Sequence, residues 1–262
     1  MNTDGINTTK SQERDHLGLS GAKCQRAVVL VLALWMIGRT SYVLKVVWLR
    51  PVMRAVLEMA SGLVLFWVLL GGALMYLLRD RIKARWQRLP WDWRLSFFLL
   101  ATLLAMSEEV VTTLMTNCAP LLGVRLGEAY ITASGNYFDV IFCHSVVTFL
   151  PAFALWAWLL SRYDFSPFDA FLCFGIYGNI GEGIFGGFRP ADIPFWIFVY
   201  GLMLYLPAYV FADRRGLRRV TWPQYLMGTA GAMVCVIPWV LLLKLTFLRH
   251  HPDIHFPPIH PP

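Results

Sequence analysis

The chain has 262 residues, of which 57% are hydrophobic and only 15% charged, with a net charge of +7. Apolar runs of about 20 residues recur along it, the length needed to span about 30 Å of hydrocarbon, and this excludes an ordinary soluble domain. No short alternating segments of barrel type occur, so the expected fold is all-α: a polytopic helical membrane protein with about seven transmembrane helices. The excess of Lys and Arg marks cytoplasmic loops and contacts with anionic lipid rather than a nucleic-acid surface. Five cysteines are scattered without CxxC or Cys/His spacing, which argues against a disulfide framework or a zinc finger.

Residues 1–26 read as a polar cytoplasmic tail and residues 27–248 as the transmembrane domain. The first span, 27–48, has no small-x-small cleavage site after its apolar core, so it is expected to remain as an anchor. It carries Arg39 and Lys45, which either snorkel or face the bundle. The second span is 52–78, where Arg54 and Glu58 are spaced to pair along one face. Residues 79–94 then hold six basic residues interleaved with Trp86, Trp91 and Trp93, as in an interfacial loop.

The third span is 95–115 and the fourth 137–160, with Pro151 as its expected kink. The fifth, 168–188, is rich in glycine, which favours close helix packing. The sixth is 195–211. The following loop holds Arg214, Arg215, Arg218 and Arg219. The seventh span is 225–248. The tail, 249–262, carries His250, His251, His255 and His260 among prolines. It is expected to be irregular and extracytoplasmic, with metal binding by its histidines as the other reading.

Basic loops should be cytoplasmic. The loops after spans two and six are the most basic and are separated by an even number of spans, so they can share a side. This places the N-terminus in the cytoplasm, the C-terminus outside, and the protein in the inner or plasma membrane.

The functional candidates are polar residues within the spans, where each ionised group costs at least about 2.5–3.5 kcal/mol. At about 1.5 Å per residue, Glu108 and Glu109 on span three, His144 and Asp139 on span four, and Asn179 and Glu182 on span five fall at similar depths. Thr112 and Thr113 support the glutamates from the same helix. A buried Glu/His pair that fixes helix register is one explanation. A site is the other: a water-activating carboxylate with His and Asn as oxyanion donors, a proton- or cation-coupled transport site, or a carboxylate–histidine metal site. No HExxH motif is present, and no metal ligands or cofactor are assigned. A non-catalytic protein that binds lipid or a partner is a further reading.

The order Glu-Glu, then His, then Asn on successive helices resembles the CAAX-protease/bacteriocin-processing family of intramembrane glutamic proteases, with its motifs EExxxR, FxxxH and HxxxN. Glu108 and Glu109 match the pair, His144 the second motif's His, and Asn179 the third motif's Asn. Thr113, Val140 and Gly175 stand where the family has Arg, Phe and His. The resemblance implies an intramembrane hydrolase in which Glu108, Glu109, His144 and Asn179 are catalytic. The substrate would be a membrane-embedded peptide or a lipid-modified chain.

Overall fold

The computed structural model describes residues 4–187, 189–214 and 218–257, excluding the side chains of residues 4–20 and 185. Arg215 and His260, singled out above, lie outside the described residues. The described residues are helical and connected by turns and short loops, with isolated bridges but no strands.

Helix α1 covers Asp4–Val47 as one element, without a break at residue 26. Helix α2 runs Pro51–Trp86 through a wide π-type stretch at Val64–Gly71. Helix α3 is Trp93–Asn117. Helices α4 (Tyr137–His144) and α5 (Val146–Arg162) are joined end to end with a bend of 52°. Helix α6 is Pro167–Gly186, α7 is Ile193–Val210 and α8 is Trp222–Leu245. Five of these helices are long and apolar enough to cross a membrane, and six spans result when the bent α4–α5 pair counts as one. Many large apolar side chains on α1, α2 and α8 face outward, among them Leu34, Leu77 and Val234. In a membrane protein these side chains meet lipid.

Helix starts follow local chemistry. The Asp92 carboxylate caps α3 by accepting from Arg94 N at 2.8 Å. The Asn136 side chain does the same for α4, from Phe138 N at 3.0 Å. Ser166 and Asp169 form a reciprocal capping box at the start of α6, with bonds of 2.8 and 3.1 Å. Such caps satisfy backbone N–H groups that have no partner within the helix.

The bend between α4 and α5 falls at Ser145, ahead of Pro151. Val140–His144 form one wide turn, closed by Ser145 N donating to Val140 O at 2.9 Å. Pro151 leaves the carbonyl of Val147 without its helical donor. The Trp239 indole from α8 supplies one, at 2.9 Å. An unpartnered carbonyl in a lipid-surrounded bundle is costly, so this bond ties α8 to α5.

Helices α6 and α7 pack most closely. A Cβ on Gly175 would lie 2.6 Å from Ile197 Cα, and one on Gly178 would lie 2.1 Å from the Tyr200 ring. The two backbones approach closely because those positions have no side chain. Aromatic pairs sit among aliphatic side chains in the rest of the core: the Phe153 and Phe174 rings are tilted with centroids 5.5 Å apart, and Trp156 meets Phe165 edge-on at 5.2 Å.

Connections gather at two ends. At one, Lys83 pairs with Asp213 at 2.7 Å, the Gln87 amide donates to Val210 O at 2.8 Å, and Asp164 N donates to Arg218 O at 2.9 Å. At the other, Arg39 pairs with Asp192 at 2.6 Å. Here the chain between α3 and α4 also meets the C-terminal tail, with His255 N donating to Ala133 O at 2.7 Å. Arg39 therefore faces the bundle rather than snorkelling outward. Arg54 and Glu58 lie 3.6 Å apart along α2.

Candidate functional site

Glu108 and Glu109 are both buried near the middle of α3, at 5% and 6% exposure. Adjacent helical residues differ by about 100° in direction, and the two carboxyls have different neighbours. Glu109 accepts from Thr112 Oγ1 at 2.7 Å through Oε2, and from the Ser145 hydroxyl through Oε1. Glu108 and Glu109 both lie within electrostatic reach of Glu182 on α6. Glu182 in turn accepts a hydrogen bond from the Tyr200 hydroxyl on α7. Three carboxyl groups from two helices thus converge inside the bundle, with Ser145, Thr112 and Tyr200 as hydroxyl donors.

The local sequence explains how Tyr200 reaches its partner. Gly178 lies one turn before Glu182 and has no side chain, so the Tyr200 ring rests against that turn and its hydroxyl extends to the next. A buried tyrosine hydroxyl needs such a partner. Thr113, one turn beyond Glu109, is buried and its hydroxyl has no hydrogen-bond partner. Asn179 is also buried, at 8% exposure, one turn before Glu182 on α6.

His144 and Asp139 belong to a different cluster. His144 Nε2 lies 3.6 Å from Asp139 Oδ2 and 3.1 Å from His251 Nε2. His251 Nε2 lies 2.9 Å from Asp139 Oδ1. His255 Nδ1 lies 3.1 Å from Asp139 Oδ2. Two residues expected at one site with the glutamates are thus gathered with two histidines of the C-terminal tail. It is Ser145, the next residue along, that reaches Glu109.

The wide turn at Val140–His144 explains this division. An α-helix carries residue i+5 about 140° away from residue i. A π-type turn accommodates an extra residue, bringing Asp139 and His144 together and turning Ser145 inward. Ser145 and Tyr200 are the residues that sequence reasoning missed. A tyrosine in an apolar run was the only hint of the second. No regular helical wheel could have shown the first.

No family model, curated protein or solved structure matches the chain.

Proposed function

We propose that this is a multi-pass membrane protein that binds and passes protons or small cations at the Glu108/Glu109/Glu182 cluster. The observation that carries this reading is the convergence of three interior carboxyls, two of which, Glu109 and Glu182, are held by hydroxyl donors. Charge in such a place must be balanced by a proton or a bound cation. Hydroxyls can orient a carboxyl in either state, since they donate or accept. The unpartnered Thr113 hydroxyl beside the cluster suits a ligand that comes and goes.

We count α6 as a seventh span beside the other six. Its 20 residues are about 30 Å long. It leads from the end where Asp164 meets Arg218 to the end where Arg39 meets Asp192. The basic end would then be cytoplasmic, with the N-terminus inside, the C-terminal tail outside, and the cell membrane as the site of residence. Lipids are the surrounding partners.

The test is flux in proteoliposomes loaded with a pH-sensitive dye, under imposed proton, sodium or potassium gradients. Wild-type protein should dissipate at least one gradient. Glu109→Gln and Glu182→Gln should remain folded and lose at least nine-tenths of that flux. A folded wild type that moves none of the three ions ends this reading.

One observation favours a second reading, an intramembrane hydrolase. The Ser145 hydroxyl is held on the Glu109 carboxylate, the arrangement in which a carboxylate takes a proton from a hydroxyl or a water in its place. This is the activity that the resemblance through Glu108, Glu109, His144 and Asn179 implies, with a membrane-embedded peptide or lipid as substrate. Loss of turnover of a fluorogenic transmembrane peptide or lipid ester in Glu109→Gln would support it. Unchanged turnover in that variant would eliminate it.

A further inference from the structure

The geometry points to a first-row divalent metal site, most simply zinc, held by Asp139, His144 and His251 at the tail end of the bundle. One ligand atom from each of these three residues lies within 4.8 Å of the others. His144 Nε2 and His251 Nε2 are 3.1 Å apart, and the Asp139 carboxylate faces both, with Oδ1 2.9 Å from His251 Nε2 and Oδ2 3.6 Å from His144 Nε2. A tetrahedral ion with bonds of about 2.0–2.1 Å sets its ligands about 3.3 Å apart, close to the separation of the two nitrogens, and either carboxylate oxygen can turn to complete the triangle. Two nitrogens and one carboxylate oxygen suit zinc and its neighbours in the first row. They do not suit calcium or magnesium, which take oxygen ligands.

The cluster is supported on every side. His144 Nε2 and His251 Nε2 face each other, and two ring lone pairs do not face each other without a proton or a cation between them. Asp139 and His144 are brought onto one side by the wide turn that joins them. Asp139 is held in turn by His255 and by the Ser134 hydroxyl. Carboxylate ligands fixed in this way are typical of metal sites. The tail is positioned by His255 N on Ala133 O, by the Tyr130–Phe256 ring contact and by the Lys244–Asp253 ion pair. The side chains of Asp139 and His144 are about nine-tenths buried and that of His251 is 23% exposed, so the site is sheltered but open on the tail side. A bound ion would clip the tail to the bend between α4 and α5. This site shares no ligand with the glutamate cluster and stands whether or not that cluster carries ions.

The experiment uses full-length protein in detergent, stripped with a chelator and then titrated with zinc against a chromogenic competitor. One zinc per chain is expected, with micromolar or tighter affinity. His251→Ala and Asp139→Asn should each weaken binding at least tenfold while the protein elutes unchanged in gel filtration. His250→Ala, an exposed neighbour outside the cluster, should bind as wild type does. Cobalt in place of zinc should give visible absorption bands that disappear in His251→Ala. Because His251 lies beyond the last helix, its replacement leaves the bundle intact and the comparison meaningful. The proposal is overturned if folded wild type takes up no stoichiometric zinc. It is equally overturned if Asp139→Asn and His251→Ala keep wild-type affinity, the result expected of adventitious binding by tail histidines.

Discussion

Ser145 and Tyr200 each hold one interior carboxyl, and single-atom changes report on each. Ser145→Ala removes the donor to Glu109 Oε1, and Tyr200→Phe removes the donor to Glu182. A buried acceptor left without its donor costs about 1–3 kcal/mol. Both variants should therefore lower the stability of detergent-solubilised protein by that order, measured by unfolding in a denaturing detergent. Gly178→Ala should be more damaging than Tyr200→Phe, because its Cβ would meet the ring itself at 2.1 Å rather than delete one hydroxyl. Equal stability of Gly178→Ala and wild type would show that the ring has room to move. Residue-level reading of the sequence found the glutamates because two adjacent carboxylates in an apolar run stand out on cost alone. It could not find their donors, because serine and tyrosine cost little in a membrane helix until a partner is known.

The element that decides the internal arrangement is the wide turn at Val140–His144. Deleting Phe142, which is exposed, should convert that turn to an ordinary helical one. Asp139 and His144 then stand four apart on one helical face, so both their approach and the Ser145–Glu109 contact should persist. Cysteine pairs placed across these contacts should form disulfides in the parent protein and in the deletion variant alike; their loss in the variant would show that the turn itself holds the arrangement. Trp239→Phe makes a second test at this scale. It leaves the Val147 carbonyl without its indole donor and should cost about 1–3 kcal/mol in the same unfolding assay. Helix positions were legible. The expected 95–115 and 168–188 correspond to Trp93–Asn117 and Pro167–Gly186, since hydropathy and the caps at Asp92 and Ser166 both lie in the sequence. The extra residue in the turn was not legible. A helical wheel assumes a constant period, and a π-type turn breaks that period without any marker residue.

For the whole molecule, the contacts at each end make the chain's threading testable. Single cysteines at 125 and 192 should share accessibility to an impermeant maleimide, and cysteines at 87 and 164 should be accessible only after the membrane is opened. A cysteine at 192 that reacted together with one at 87 would remove both α6 and α7 from the set of spans, since Gln87 lies at the far end of α7. Depth counting along each helix placed Asp139 and His144 in one layer with the glutamates because it treats every helix as straight and upright. The bend of 52° and the returning tail separate them into a second cluster. The tail's own fold was hidden for a related reason. Its described residues, 249–257, form no helix, as the prolines indicate, but prolines carry no information about which surface an irregular segment settles on.

His144 and Ser145 are consecutive residues at the apex of that bend, one facing the tail cluster and the other the buried carboxyls. A single peptide bond thus connects the two clusters. Thermodynamic reciprocity then applies. If zinc at the rim changes the interior's affinity for a proton by some factor, protonating the interior must change the rim's affinity for zinc by the same factor. Zinc titrations at two pH values, with Glu109→Gln as the uncoupled reference, would measure that factor directly.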